Sequence, residues 1–365
     1  MKVQNIIFAM AVLLAAGCQK TVVDDQTGED ISFGPSLTAV KESAGSRASG
    51  TPATRSGAGS TLIDTDTELQ AQPFGIYGYK FIDENSLQNV FSSTTAQKVY
   101  FTTTAITDQA EANTWTYDDR QKWLKAMHYR FRAYWPYTAN VNIASTANYL
   151  AVEYHNIEDY DLLLAYSTRY PMTEGTKRVP MKFQHALSAL RFKFRFKEDE
   201  KFTNISDKVT GLYVQGLIPS GTVIYGKAQK TDSLTTMRWN ISTDNFDTST
   251  KFFSWTGSEE FGVGATTADK TVATAFDNDK AVFCVPQTLS ETEKVNGEDV
   301  VVRPSYIYFT TESGGSTVQK ALIPTTKLES GKIYTFTLVV NGSSVTLNVD
   351  IEDWTETQAN MDIYF

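Results

Sequence analysis

The sequence is poor in the residues that form disulfides and metal sites. Only two cysteines, Cys18 and Cys284, and three histidines occur in 365 residues. His128, His155 and His185 are too far apart for one helix or one hairpin to bring them together, so no metal cluster is indicated. The short motifs of nucleotide-binding proteins, serine hydrolases and zinc proteases are also missing. These absences favour a protein without a catalytic centre or a cofactor.

An excess of basic charge is missing as well. The formal net charge is -9 and the isoelectric point is about 5.0, which argues against a nucleic-acid partner. Acidic pairs do occur, at Asp24-Asp25 and Asp118-Asp119, but both stand in polar stretches. Solvated loops explain these pairs better than a catalytic pair of carboxylates.

The residues that are abundant favour β-structure. Aromatic residues make up 12% of the chain, and Thr and Ser are frequent. Short segments that alternate apolar and polar residues recur from about residue 61 onward, whereas convincing helix patterns are scarce. The clearest is "ALRFKFRFK", which ends at Lys197 and is followed by the charged break "KEDEK". The length suggests two domains, and we place their boundary near this break.

The first 18 residues read as an export signal. Lys2 gives a positive start, and Ile6 to Ala16 is an apolar run too short to span a bilayer. The run ends in "LLAAGC", which resembles the lipobox at which bacterial lipoproteins are cut and acylated on cysteine. Cys18 is therefore the predicted lipidation site, and its acyl chains would anchor the protein to a membrane. Cys284 lies in the apolar run "AVFCVPQ", where a buried thiol is expected.

A short strand and a flexible linker follow this signal. In "ISFGPSLTAV" the apolar residues Ile31, Phe33 and Leu37 take alternate positions, and Pro35 predicts an edge position in a sheet. The linker "SRASGTPATRSGAGS" consists of small polar residues, and its only charges are Arg47 and Arg55. Such a segment is open to a protease that cuts after arginine.

Two further features have alternative interpretations. The cationic face of the "RFKFRFK" strand could bind sulfated glycans or lipid head groups, although Lys and Arg are also common on the solvent face of a strand. Trp123, Trp135 and Trp354 could form a sugar-binding platform, although packing in the core is the default for tryptophans in strands. His185, just before "ALSAL", is interpreted as a buried, hydrogen-bonded structural residue.

Several stretches, in order along the chain, resemble the Bacteroidales fimbrillin family of FimA/Mfa-like type V pilin lipoproteins. They are "RFRAYWPY", "DYDLLLAYS", "VPMKFQHALSALRFKFRF", "FCVPQTL", and "LESGKIYTFTLVV" followed by "VDIEDW". The resemblance implies an all-β protein with two transthyretin-like β-sandwich domains in tandem. The expected division is a lipoprotein signal peptide at 1–17, a tether, removable strand and cleavable linker at 18–55, and domains at 56–200 and 201–365.

The resemblance also implies a function. It predicts a subunit of a cell-surface fimbria that supports adhesion, localised at the outer membrane through the precursor's lipid anchor, and partnered by other fimbrial subunits and an arginine-specific protease. The context of Arg55 resembles the family's cleavage site more closely than that of Arg47. Polymerisation would use the groove vacated by Ile31, Phe33 and Leu37.

The segment "ANMDIYF" places Met361, Ile363 and Phe365 on one face, so it reads as a strand. It either enters the vacated groove of another subunit or completes the sheet of its own domain. Alternatives to a shaft subunit are a tip or anchor subunit, and a lipid-anchored monomer that binds a glycan or a host ligand.

Overall fold

The structure is a computed structural model. It describes residues 26–37, 60–61, 63, 65–107, 110–138, 142–155, 160–196, 206–262, 273–274, 280–341 and 344–354. Within these ranges the chain is built almost wholly from β-strands, which confirms the predicted all-β class.

The strands are numbered in chain order. Before residue 200 they are β1 (Gln26–Asp30), β2 (Phe33–Leu37), β3 (Ser60–Thr61), β4 (Phe74–Phe81), β5 (Gln88–Asn89), β6 (Gln97–Thr102), β7 (Thr114–Thr116), β8 (Lys122–Leu124), β9 (His128–Trp135), β10 (Ile143–Ser145), β11 (Tyr149–His155), β12 (Leu163–Arg169), β13 (Val179–His185) and β14 (Ser188–Phe196). After it they are β15 (Ser206–Gln215), β16 (Ser220–Gly226), β17 (Met237–Asn240), β18 (Phe253–Gly262), β19 (Ala273–Thr274), β20 (Lys280–Cys284), β21 (Thr288–Leu289), β22 (Glu291–Val295), β23 (Glu298–Arg303), β24 (Tyr306–Thr311), β25 (Gln319–Leu322), β26 (Thr326–Lys327), β27 (Lys332–Asn341) and β28 (Ser344–Asp353).

Helices play a small part in the described chain. They are α1 (Asp66–Gln70), α2 (Pro171–Glu174) and a 3-10 turn at Thr243–Asn245. None of the described helices combines the length and the apolar character needed to cross a membrane. Helix α1 is nevertheless well defined, because Thr65 and Glu68 form a capping box at its start.

The N-terminal half is organised around an eight-stranded sheet. Its order is β2-β13-β12-β9-β4-β6-β7, and β5 pairs with β4. Apolar residues at alternate positions of strand β9, Tyr129, Phe131 and Ala133, are buried in one core. Its other face is also buried, because Arg132 and Tyr134 are 0% and 3% exposed.

A second sheet covers that other face. It has the order β10-β11-β16-β17, and its inner side chains share a core with the large sheet. Arg132 crosses between the sheets and donates hydrogen bonds to the carbonyls of Tyr225 and Asn148. Burial lowers the pKa of Arg132 to about 10, so the side chain remains charged at neutral pH.

The C-terminal half is a sandwich of two sheets. One sheet has the order β28-β27-β14-β20-β3, with β19 also paired to β14, and the other has the order β18-β15-β24-β25. The apolar face predicted for β14 lies in the core between them, where Leu190, Phe192 and Phe194 are fully buried. Strands β27 and β28 pair in antiparallel fashion and form a hairpin around residues 341–344.

Strand pairing crosses the predicted boundary at residue 200 within two of the sheets. Strand β11 pairs with β16, and β14 pairs with β27 and β20. Two sheets therefore contain strands from both sides of the charged break. The break itself lies outside the described residues. Which strands share a sheet depends on contacts that are distant along the chain.

Candidate functional site at the N-terminal strand

Strand β2 lies at the edge of the large sheet, as its proline predicts. It pairs in parallel with β13, from Phe33 opposite Val179 to Leu37 opposite Phe183. Just before β2, the backbone N–H of Val179 donates to the carbonyl oxygen of Ser32 at 2.8 Å. Because Pro35 has no N–H, an edge is the position where it disturbs a sheet least.

The apolar side chains of this segment fill the core of the body. Ile31 and Phe33 are each 1% exposed, and Leu37 is 9% exposed. The ring of Phe33 lies in an aromatic cage, with ring-centroid distances of 6.4 Å to Phe74, 6.4 Å to Phe91, 5.8 Å to Tyr117 and 5.3 Å to Phe131. The alternation predicted for this strand is therefore confirmed, and its partners are now identified.

The loop that leads into β8 holds the strand from the other side. The N–H of Ile31 donates to the carbonyl oxygen of Gln121 at 2.7 Å, and the hydroxyl of Tyr117 donates to the carbonyl oxygen of Ile31 at 2.9 Å. Burial raises the pKa of Tyr117 to about 12, so its hydroxyl keeps the proton that it donates. Both polar backbone groups of Ile31 are thus satisfied inside the core.

Asp30 marks the point where the segment meets the surface. Its carboxylate lies 2.8 Å from the guanidinium of Arg120 and 3.4 Å from the ammonium group of Lys122. Lys122 also donates to the carbonyl oxygen of Gly28 at 2.8 Å. Partial burial acts to raise the pKa of Asp30, but the hydrogen bonds and charges of Arg120 and Lys122 outweigh it and lower that pKa.

The lowered pKa of Asp30 predicts a weak dependence of strand docking on pH. The ion pairs stabilise the docked strand above the pKa of Asp30 in the unfolded chain, about 3.9, and this contribution is lost as the pH falls through the lower folded value. We expect hydrogen exchange at Ile31, corrected for intrinsic rates, to gain protection as the pH rises from 3 to 5, by no more than about 0.5 kcal/mol for such exposed ion pairs. Asp30→Asn should remove that gain. An unchanged profile in this variant would contradict the prediction.

The far end of β2 is anchored before the arginine-bearing linker begins. The N–H of Leu37 donates to the carboxylate of Asp66 at 3.0 Å, at the start of the capped helix α1. The next described residues, Ser60 and Thr61, form β3, which pairs with β20 in the C-terminal sandwich. A cut between 38 and 59 would break the covalent link while leaving every contact of β1 and β2 described above in place.

The structure brings together only some of the predicted site residues. Ile31, Phe33 and Leu37 lie in one groove, whereas Cys18, Arg47, Arg55, Met361, Ile363 and Phe365 lie outside the described residues. Sequence reasoning missed Tyr117, Arg120, Gln121 and Lys122, which hold the strand. No local signal marks these residues, because they meet the strand from about 90 positions away in the chain.

The other candidate residues have structural roles. Trp123, Trp135 and Trp354 are at most 5% exposed, which confirms core packing over a sugar platform. His185 is buried and lies 2.8 Å from the carboxylate of Asp161, as interpreted from the sequence. Cys284 is likewise buried. Among the described residues, no group of three or more potential ligands could hold a metal ion.

Not all of the cationic residues of β14 are exposed on a surface. Strand β14 lies inside its sheet between β27 and β20, rather than at an edge. Arg191 is buried, and its guanidinium lies 3.0 Å from the carboxylate of Glu352. The positive charge of Arg191 is therefore paired with Glu352 within the sandwich.

A second concave region lies in the C-terminal sandwich, where residues 324–329, which include β26, face β27 and β28. A cavity of about 560 Å³ opens there, and its lining includes Pro324, Lys332, Val349 and Ile351. Ile351, which lines this cavity, is 57% exposed, so apolar surface is open to solvent there.

Comparison of the sequence with models of known protein families identifies the family of the chain. A family model described as "Fimbrillin-like" matches residues 61–354. No curated protein matches. The match covers most of the body, including all strands from β4 to β28.

Solved structures show weaker similarity to this chain. A fimbrial protein from Bacteroides vulgatus is 16% identical, with a TM-score of 0.49, and the match covers 81% of this chain and 97% of that one. A candidate cell adhesion protein from Bacteroides ovatus is 14% identical, with a TM-score of 0.45, over 90% and 98% of the two chains.

Proposed function

Because the chain belongs to the fimbrillin-like family, we propose that it is a structural subunit of a cell-surface fimbria whose own N-terminal strand keeps it monomeric until a protease cuts the linker. The observation that carries this proposal is the arrangement of β1 and β2. β1 pairs with β8, and Ile31, Phe33 and Leu37 fill a groove in the body, whereas the chain between β2 and β3 contains the small-residue linker with its two arginines. Such a segment is suited to removal.

Export and anchoring form the first step of the proposal. The apolar run that ends in "LLAAGC" directs the precursor out of the cytoplasm, and acylated Cys18 holds it in the outer membrane. The polar residues between Cys18 and β1 then serve as a tether. Cleavage after Arg55, or after Arg47, separates the body from this anchor.

Loss of the strand would create the driving force for assembly. Burial of a large apolar side chain contributes roughly 1.5–3 kcal/mol, so three such side chains contribute about 5–9 kcal/mol as an upper bound. The edge of β13 and the backbone carbonyl of Gln121 would lose their hydrogen-bond partners as well. A strand from another subunit restores both contributions by β-strand addition. Because each subunit donates and accepts, the contact is heterologous and the chain of subunits grows as an open filament.

The donor in this proposal is the segment that contains Met361, Ile363 and Phe365. Its alternating apolar residues suit the groove of Ile31 and Phe33 in another copy. The alternative is that the segment completes the sandwich of its own subunit. Strand β28 forms the edge of a sheet there, and apolar surface beside it is exposed.

Deleting residues 356–365 separates these two roles. If the segment is the donor, the shortened precursor should unfold at a temperature close to that of the full chain, but it should not polymerise after cleavage. Thermal unfolding followed by circular dichroism, and electrophoresis after protease treatment, give the two readouts. Filaments from the shortened protein would contradict the donor role, and a large loss of thermal stability would favour completion of its own domain.

A lipid-anchored monomer that binds a glycan or a host ligand is the second candidate function. The cavity beside β26, β27 and β28 favours it, because it is concave and partly apolar. This protein would keep its N-terminal strand and lipid on the cell surface. It would also bind ligand saturably without forming larger species.

The deciding experiment is N-terminal sequencing and intact-mass measurement of the cell-surface form. A subunit of the shaft should begin at Ser56, or at Ala48 if Arg47 is cut, and it should carry no acyl mass. An anchor subunit or a monomeric binding protein should instead begin at acylated Cys18. A surface form that begins upstream of Ala48 would overturn the proposed cleavage.

A further inference from the structure

A four-residue pattern links the docked strand to the predicted donor. The sequence Asp-Ile-x-Phe occurs twice in the chain, as "DISF" at 30–33 and as "DIYF" at 362–365. The first copy is the part of the N-terminal segment that the body holds most closely. The contacts of that copy therefore show what the groove would recognise in the second.

Each position of the first copy has a distinct environment. Asp30 lies between Arg120 and Lys122 at the mouth of the groove. Ile31 is buried, and both of its backbone polar groups are bonded to the loop that leads into β8. Phe33 is enclosed by four aromatic rings.

The third position of the pattern has a different environment. Ser32 accepts a backbone hydrogen bond from Val179, and its side chain is half-buried rather than enclosed. A backbone contact does not depend on the identity of the side chain, so this position tolerates a residue as different as tyrosine. The environments thus match the pattern in which the first, second and fourth residues are specified.

We propose that Arg120 and Lys122 set the register of assembly by binding Asp362 of another copy in the place of Asp30, so that Ile363 and Phe365 enter the sites of Ile31 and Phe33. This inference rests on the proposed function and adds to it the residues that recognise the partner strand. The carboxylate of Asp30 lies within ion-pair distance of both Arg120 and Lys122. Removal of the N-terminal segment would leave both cations without that partner.

Apolar complementarity alone cannot set this register. Met361, Ile363 and Phe365 take alternate positions, so a slip of two residues would still direct apolar side chains into the groove. The slipped strand would place Met361 at the Ile31 site and Ile363 at the Phe33 site, and it would leave Asp362 at the position of Ser32, away from the cations. The ion pairs distinguish the two registers, because only one brings Asp362 between Arg120 and Lys122.

The test uses charge reversal in the full-length precursor. Asp362→Lys should reduce the initial rate of polymer growth after cleavage by about tenfold at low salt, and the reduction should shrink at high salt, where surface charges are screened. Glu356→Lys is the matched control, because it makes the same change of charge in the same segment outside the pattern. It should leave the rate within about twofold of the unmodified protein.

The reciprocal variant reverses the groove. Asp30→Lys combined with Arg120→Glu and Lys122→Glu keeps opposite charges together in the precursor, and an unchanged thermal unfolding temperature would verify that it folds. After cleavage this groove should accept the Asp362→Lys strand better than the unmodified strand. Equal rates for the two strands in both grooves would overturn the inference.

Peptide binding tests the proposed register without requiring that the protein polymerises. A labelled peptide of residues 355–365 should bind the cleaved protein more tightly than the same peptide with Asp362→Lys, by about tenfold at low salt. This preference would support the register even if the full-length protein failed to polymerise, which would count against the proposed function alone. Polymer formation with no preference between the peptides would leave the proposed function standing and contradict the register.

Discussion

Replacing Arg47 and Arg55 together with alanine is expected to abolish polymer formation by cells that express the protein. The N-terminal segment is held by three buried apolar side chains, by parallel pairing with β13 and by the loop around Gln121. While the linker is intact, this segment remains covalently close to its groove and outcompetes a strand from another subunit through its high effective concentration. The variant should accumulate as a lipidated monomer that carries Cys18.

Electrophoresis of unheated samples and the mass of the N-terminal fragment would measure this outcome. Arg55→Ala alone should have a larger effect than Arg47→Ala alone, because the context of Arg55 is the preferred one. Lys41→Ala is a matched control in the same part of the chain, since an arginine-specific protease has no need of this residue. Polymer at the unmodified level in the double variant would show that cleavage at these arginines is not required.

Phe33→Ala is expected to weaken the precursor strongly without affecting the assembled protein. Truncation of a buried phenylalanine typically costs about 3–5 kcal/mol, and Phe33 lies inside a closed aromatic cage. The cost applies only while residue 33 occupies the groove. In the proposed assembly the substituted segment leaves after cleavage, so the donor strand would meet an unmodified groove.

Phe131→Ala provides the contrast, because Phe131 is fully buried 5.3 Å from Phe33 but belongs to β9 of the permanent body. It should destabilise both the precursor and the polymer. Denaturant unfolding of the precursor and the temperature at which polymers dissociate in detergent would measure the two effects. A polymer of the Phe33→Ala protein that dissociates as early as the Phe131→Ala polymer would show that the N-terminal segment stays in the assembly.

Local sequence patterns predicted one half of the site, the strand that occupies the groove. The alternation of Ile31, Phe33 and Leu37 and the proline between them predicted a short edge strand, and the structure places β2 at the edge of a sheet. These properties depend on neighbouring residues, because side-chain alternation and the missing N–H of proline are local. The same reasoning identified β14 and the buried environments of the tryptophans.

The other half of the site depends on tertiary contacts. Tyr117, Arg120 and Gln121 lie in a stretch with no signal of its own, and they acquire a role only because folding brings them against a strand far away in sequence. Parallel pairing of β2 with β13 and the sharing of sheets across residue 200 are non-local in the same way. Side-chain periodicity specifies which face of a strand is buried, but it carries no information about the partner. Local sequence patterns are therefore enough to predict the all-β class, the apolar faces of the strands and the isolated first strand. The groove, its aromatic cage and the charges at its mouth arise only when segments distant along the chain pack together.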